Sequence, residues 1–350
     1  AHMPKMFHTN SSYEYWGRAA SLIHTTLDGA RDSPLMDNVR VYSFAGGQHG
    51  PGRFPPRQTS GQQLSNPNDY SWFLRSLLLA MNRWTTDGTP PPTSVYPRIA
   101  DGDLVLPEDL AFPEIPGVSQ PAMPHLAYRA VYGPEFRTRG IVTVEPPEVL
   151  SAFPVLVPRV DEDGNETGGL MMPEVAVPLA TYTGWNNFRV ESGPVDVLSS
   201  MQGSYIPFAR TRAERAQRDD PRRSLEERYG SRAEYLGRVS DAALALVEVV
   251  TGGALPPARE ERTLAVEAGT REQLLVRFLS RLLVEFDGDG FLPGAVEVTL
   301  AADGRLAATL RGAAWDAERD GYGVEVKAIS YHELQVEPGP PAQLRIILDL

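Results

Sequence analysis

Val39-Arg40-Val41-Tyr42-Ser43-Phe44-Ala45-Gly46-Gly47-Gln48-His49-Gly50 is the stretch from which the fold of the N-terminal part can be read. Its first six residues are rich in valine and aromatic side chains, the composition of a strand buried in an α/β sheet. Two glycines then allow the chain to turn sharply, and a histidine follows at the strand's carboxyl end. Open α/β sheets keep their chemistry at that end. Imidazole accepts and returns a proton near neutral pH, so His49 is the first candidate for a general base. The alternative is a structural or simply exposed loop histidine.

Upstream, Asn10-Ser11-Ser12-Tyr13-Glu14-Tyr15-Trp16 supplies a carboxylate. The separation from His49 accommodates an intervening loop and one strand, which would bring both groups to neighbouring strand ends. There Glu14 would fix the imidazole tautomer and stabilise its cation, the orienting role in a triad. A helix-start glutamate favoured by the helix dipole is the other reading.

Prolines crowd residues 50–180, as in Thr89-Pro90-Pro91-Pro92, so irregular coil with short strands is expected there. Trp72, Phe73, Leu77, Leu78, Met81 and Trp84 recur at helical spacing, and that helix ends before Gly88. From 209 to 249 the sequence is charged and helical, with Pro221 at its start. After Gly252-Gly253 a strand is expected at Thr263–Glu267. A capping-box helix follows from Thr270 to Phe286, then strands at 295–300, 306–310, 324–336 and 344–350, with a hairpin turn at Asp303-Gly304. This second part is a small α+β unit.

Net charge is -12 at pH 7, which gives no electrostatic case for direct nucleic-acid or anionic-membrane binding. No cysteine is present, which excludes disulfides, thiolate zinc sites and thiol nucleophiles. No apolar run is long enough for a spanning helix, and a cytoplasmic protein is expected.

Phe7 to His24 and Val41 to His49 together resemble the large bacterial α/β-hydrolase-domain family. So do Val157 to Glu166, Pro178 to Asn186 and Asp220 to Tyr229. The resemblance covers about residues 4–247 and implies a bacterial chain with Glu14 as triad acid and His49 as triad base. It implies no cofactor, and a small ester-like substrate provided the nucleophile is supplied elsewhere. In such enzymes the G-x-S-x-G elbow precedes acid and base. This part therefore reads as the C-terminal portion of such an enzyme, with its sheet left uncovered along an edge. Ser119, in Gly117-Val118-Ser119-Gln120-Pro121, is a decoy: Pro121 stands where the elbow has glycine. The turn Asp161-Glu162-Asp163-Gly164-Asn165 lacks the later ligands of a calcium loop. Trp185 lines either a pocket or the core, and the core is the expected place.

Leu274 to Leu283, Gly290-Phe291-Leu292, Leu310-Arg311-Gly312, Glu325 to His332 and Ile346-Ile347-Leu348-Asp349 resemble archease. That family assists a tRNA-splicing RNA ligase, so the resemblance implies an RNA ligase as partner. It assigns Asp349 as an acidic ligand of calcium or another divalent cation, without the family's opening segment. Lys327, Tyr331 and His332 are further polar candidates, with His332 on the apolar face of its strand.

The expected fold is α/β: a partial α/β-hydrolase fold over 1–248 and an archease-like α+β domain over 249–350. The expected function is an esterase-like portion that keeps acid and base without a recognisable nucleophile. A metal-dependent ligase accessory factor is one alternative, and a catalytically inactive hybrid another.

Overall fold

The computed structural model describes residues 3–53, 55–231, 234–235, 237–238, 241, 245, 257–267, 291–300, 306–314, 328–337 and 343–349. In chain order the elements begin with β1 (Met6–Ser11), α1 (Ser12–Gly17), β2 (Val39–Phe44), β3 (Leu64–Ser65) and α2 (Ser71–Thr86). Next come β4 (Leu104–Val105), β5 (Tyr128–Val131), α3 (Phe136–Arg139), β6 (Glu148–Ala152), β7 (Val157–Pro158) and α4 (Pro173–Ala176). β8 (Ala180–Thr183), β9 (Ser204–Pro207), α5 (Arg212–Arg218) and α6 (Leu225–Arg228) follow. The last strands are β10 (Glu260–Val266), β11 (Phe291–Leu300), β12 (Leu306–Ala314), β13 (Ala328–Glu337) and β14 (Gln343–Asp349). The expected helix from Thr270, the turn Asp303-Gly304, the run 242–244 and Lys327 lie outside the described residues.

Two units divide the chain: Ala1–Asn68, Ser94–Met171 and Pro178–Ser224 form the first, and the remaining segments form the second. In the first unit β1 and β2 are parallel, in register from Met6 against Val39 to Ser11 against Phe44. The other edge of β2 is bonded too, Ser43 N–H to Val95 O and Leu170 N–H to Ser43 O. Among the described residues β1 has no strand on its outer edge. The other described strands of this unit form short antiparallel sets, β3-β9-β8, β4-β7 and β5-β6. Such brevity follows from the prolines, each of which lacks a ladder donor.

Aromatic side chains from the β1–α1 segment anchor the core. Tyr13, Tyr15 and Trp16 are buried, as are Val41, Tyr42 and Phe44 of β2. Trp16, Leu110, Val157, Trp185 and Leu198 form one apolar cluster, with Phe112 partly buried against it. Trp185 is thus a core residue. Losing either tryptophan side chain would cost about 3–5 kcal/mol through the cavity left behind.

A second set of contacts closes the unit. The charged, helical stretch expected from residue 209 begins as two short helices, α5 and α6, separated where Asp219 adopts φ 52°. The break occurs because Asp220 and Arg222 turn inward. Arg222 donates to both Asp220 carboxylate oxygens at 2.9 and 2.7 Å, to Thr181 Oγ1 at 2.8 Å and to Ile206 O at 2.9 Å. Those bonds tie the segment to β8 and β9, and the guanidinium also lies over the Phe208 ring.

In the second unit α2 runs as its spacing predicts. Phe73, Leu77 and Trp84 are buried and Leu78 is exposed, with Gly88 just beyond the helix end. β10, β12 and β11 form an antiparallel sheet whose buried face carries Leu264, Phe291, Ala308 and Leu310. Its other face carries Arg311, bonded across strands to Glu261 and Glu297. The register of β11 shifts between Pro293 and Ala295, where proline cannot donate. β13 and β14 pair antiparallel, with Asp349 opposite Ala328.

Candidate active site

Two parallel strands deliver the two candidate groups. β1 runs straight into α1, whose N-cap is Ser11 and whose first turn carries Glu14. β2 ends at Phe44, and the chain turns through Gly46 at φ 62°. A side chain at Gly46 would also run into the Tyr182 carbonyl at 2.9 Å. Glycine is therefore required there by both conformation and space. Tyr13 N–H donates to Gly47 O at 3.1 Å, so the two strand-end turns are bonded to each other.

Across this join His49 Nδ1 is hydrogen-bonded to Glu14 Oε1. The second carboxylate oxygen, Oε2, accepts from Ser11 N–H at 2.6 Å and from the Ser11 hydroxyl at 2.5 Å. Glu14 thus reaches back to the helix start and outward to the imidazole at once. Its carboxylate is largely buried, at 14% exposed, whereas the imidazole is 48% exposed. The Tyr13 ring flanks the imidazole edge-on at 6.0 Å. Among the described residues Nε2 of His49 has no hydrogen-bond partner. Neither nearby serine reaches it: the Ser11 hydroxyl is held by Glu14 and the Ser12 hydroxyl by Glu166.

Glu166 is a residue that sequence reasoning passed over. It is buried, its Oε1 accepts from the Ser12 hydroxyl, and its Oε2 accepts from Gly46 N–H at 2.9 Å. Burial pushes its carboxyl up to about 7, against the opposing effect of those two bonds. A further titratable group touches Tyr15 of α1. His24 is fully buried, its Nε2 lies 2.9 Å from the Tyr15 hydroxyl, and its ring lies tilted against Tyr96 with centroids 4.6 Å apart. Burial holds that imidazole down at about 4 and raises the Tyr15 hydroxyl well above its ordinary value. Glu166 closes the Asp161 turn, where Asp161 Oδ1 accepts from Asp163 N–H and Asn165 N–H. The only advance signal for it was its place at the end of the string Val157 to Glu166.

Ser119 is exposed in a loop, and its carbonyl accepts from Asn187 Nδ2 at 3.1 Å. Asp349 ends β14; its side chain and those of Tyr331 and His332 lie outside what the structure describes. Among the described residues no three His, Asp or Glu side chains gather to hold a metal ion. Among the same residues no helix is long and apolar enough to cross a membrane.

The model of a family described as "Alpha/beta hydrolase domain" matches residues 2–265, and that of the Archease protein family matches 230–350. "Protein archease" of Thermococcus gammatolerans is 36% identical over 115 residues, 32% of this chain and 80% of the relative. The chain belongs to both families. It is an α/β-hydrolase domain followed by an archease domain, the two matches overlapping over 230–265. "Protein archease" of Pyrobaculum neutrophilum is 31% identical over 100 residues, 27% of this chain and 68% of that relative. That of Pyrococcus abyssi is 34% identical over 101 residues, 28% and 71% of the two chains. These curated relatives are archaeal, which overturns the expectation of a bacterial chain and corrects it.

Proposed function

We propose that Glu14 and His49 are the acid–base part of a hydrolytic site for a small ester-like substrate. Glu14 orients the imidazole and stabilises its cation. His49 takes the proton of a serine nucleophile through Nε2 and returns it to the leaving group. The serine is supplied from outside the described residues, by a further segment or by a partner chain. One observation carries this reading: Nδ1 is bonded to an anchored carboxylate while Nε2 stays open on a half-exposed ring.

Diethyl pyrocarbonate modification, read out by peptide mass spectrometry, tests it. At a pH above the imidazole range, where the ring is neutral in both proteins, the carboxylate on Nδ1–H makes Nε2 the stronger nucleophile, so Glu14→Gln is expected to slow modification of His49 several-fold and leave exposed His125 unchanged. Equal rates at His49 in both proteins would overturn the pairing. Residues 1–350 alone are expected to hydrolyse esters at the background rate. Hydrolysis abolished by His49→Ala would place the nucleophile within them.

A second reading belongs to the C-terminal part and is favoured by the archease relatives. There we propose an accessory factor for a tRNA-splicing RNA ligase, with Asp349 contributing to a site for calcium or another divalent cation. Its remaining donors would come from outside the described residues. Pull-down of the ligase should fall with a chelator and with Asp349→Asn; capture indifferent to both would remove the metal from this reading.

A further inference from the structure

We infer that Glu166 is a positioning residue: one buried carboxyl joins the two strand-end turns and so sets the spacing of Glu14 and His49. The inference rests on Glu14 and His49 being a working pair.

The geometry starts from the backbone. Val160 and Glu166 form a bridge that closes the Asp161 turn, and the chain then runs alongside the end of β2. Leu170 N–H donates to Ser43 O at 2.7 Å and Ala45 N–H to Leu170 O at 2.9 Å. From this strut the Glu166 side chain reaches both exits. Its Oε1 takes the hydroxyl of Ser12, the first residue of α1, in the same helical turn as Glu14. Its Oε2 takes the N–H of Gly46, in the turn that leads to His49. Gly46 is held at its carbonyl as well, because Asn66 Nδ2 donates to Gly46 O at 2.5 Å and to Thr183 O at 2.9 Å. Each turn is therefore fixed to the same carboxyl, and a shift in either would move one member of the pair relative to the other.

The choice of residue points the same way. Among the described residues no cation pairs with Glu166, and an unpaired buried carboxyl is a costly way to satisfy two neutral donors. Its elevated proton affinity reflects that cost. Rules of stability that are broken locally mark places where the geometry serves something else.

The test reads the tautomer of His49 in the full-length protein by 15N NMR of its six histidines, under conditions where imidazole is neutral. Thermal unfolding of each variant is followed alongside. Glu166→Ala should lose the Nδ1–H signature of His49, with the tautomer ratio falling roughly tenfold, the loss of one hydrogen bond to a charged group. Glu166→Gln should keep it, since an amide can accept from Gly46 and donate to the Ser12 oxygen. If Glu166→Ala does not fold, Ser12→Ala removes one arm alone and should lower the Nδ1–H share. A merely structural role would shift the melting temperature in these variants and leave the tautomer untouched, and that result overturns the inference. The pair itself is checked separately by Glu14→Gln. Loss of the signature there but not in Glu166→Ala would leave the pair standing and remove only the positioning role. A wild-type His49 without the signature would remove both.

Discussion

Glutamine at position 166 isolates the energetic consequence of burying a carboxyl beside the pair. In the folded chain that carboxyl titrates at about 7, against 4.5 for an ordinary glutamate. Between those values the unfolded chain has released its proton and the folded chain retains it. Stability therefore falls as pH rises through this window. The gap, at 1.36 kcal/mol per pH unit, amounts to about 3 kcal/mol once the pH exceeds the folded value. His24 acts with the opposite sign. Its folded value is about 4 against 6.5, so the unfolded chain gains a proton first as pH falls, and stability is lost on the acid side by about 3 kcal/mol. The two slopes overlap and nearly cancel at mildly acid pH in the wild type. Glu166→Gln should unmask the acid loss and stabilise the protein at mildly alkaline pH by up to about 3 kcal/mol. His24→Phe should unmask the decline towards neutral pH. Urea titrations across this range, followed by tryptophan fluorescence, to which the buried Trp16 and Trp185 contribute, give the curves. Parallel stability–pH curves for wild type and Glu166→Gln would refute the reasoning.

Arg222→Met should cost about 3–5 kcal/mol, because it strands a buried Asp220 carboxylate and frees the Ile206 carbonyl. Asp220→Asn combined with Arg222→Met should recover much of that loss; hydrogen exchange of peptides covering β8 and β9 reads both effects. Burial alone would raise the Asp220 carboxyl, but bonding to Arg222 outweighs it and holds the carboxyl below the usual range. Gly184→Ala should displace the start of α1, since a Cβ there meets the Ser12 backbone and hydroxyl. It should slow His49 modification as well as lower the melting temperature, and a change in stability with unaltered His49 reactivity would show that α1 had not moved.

How far the sequence carried the fold depended on the range of the interactions. The run Val39 to Phe44 is a strand of that extent because its hydrophobic pattern is local and its stop, Gly46, is a backbone requirement. The helix at Ser71–Thr86 is legible for the same reason: periodic apolar spacing and a glycine at its end. The inward turn of Arg222 between α5 and α6 was not legible, since it depends on that residue finding Thr181 and the backbone of β9, contacts distant in sequence. Residues 50–180 announced coil through their prolines, yet nothing local told which short strands would pair. At the site, His49 and Glu14 were singled out by residue type and placement at strand ends. Glu166 was not, because a glutamate at the close of an acidic turn reads as solvated until the fold buries it. Asp349 rested on resemblance, and its side chain is not among those the structure describes.

The imidazole of His49 commits its Nδ1 to Glu14 and, among the described residues, keeps its Nε2 open. The ring-nitrogen shifts of His49 in the wild-type chain, with the imidazole neutral, test this most directly, because the bond at one nitrogen sets the tautomer. Protonated Nδ1 and bare Nε2, converted to the opposite pattern or an even mixture by Glu14→Gln, is the predicted result. A wild-type His49 with its proton on Nε2, unchanged by Glu14→Gln, would contradict the account.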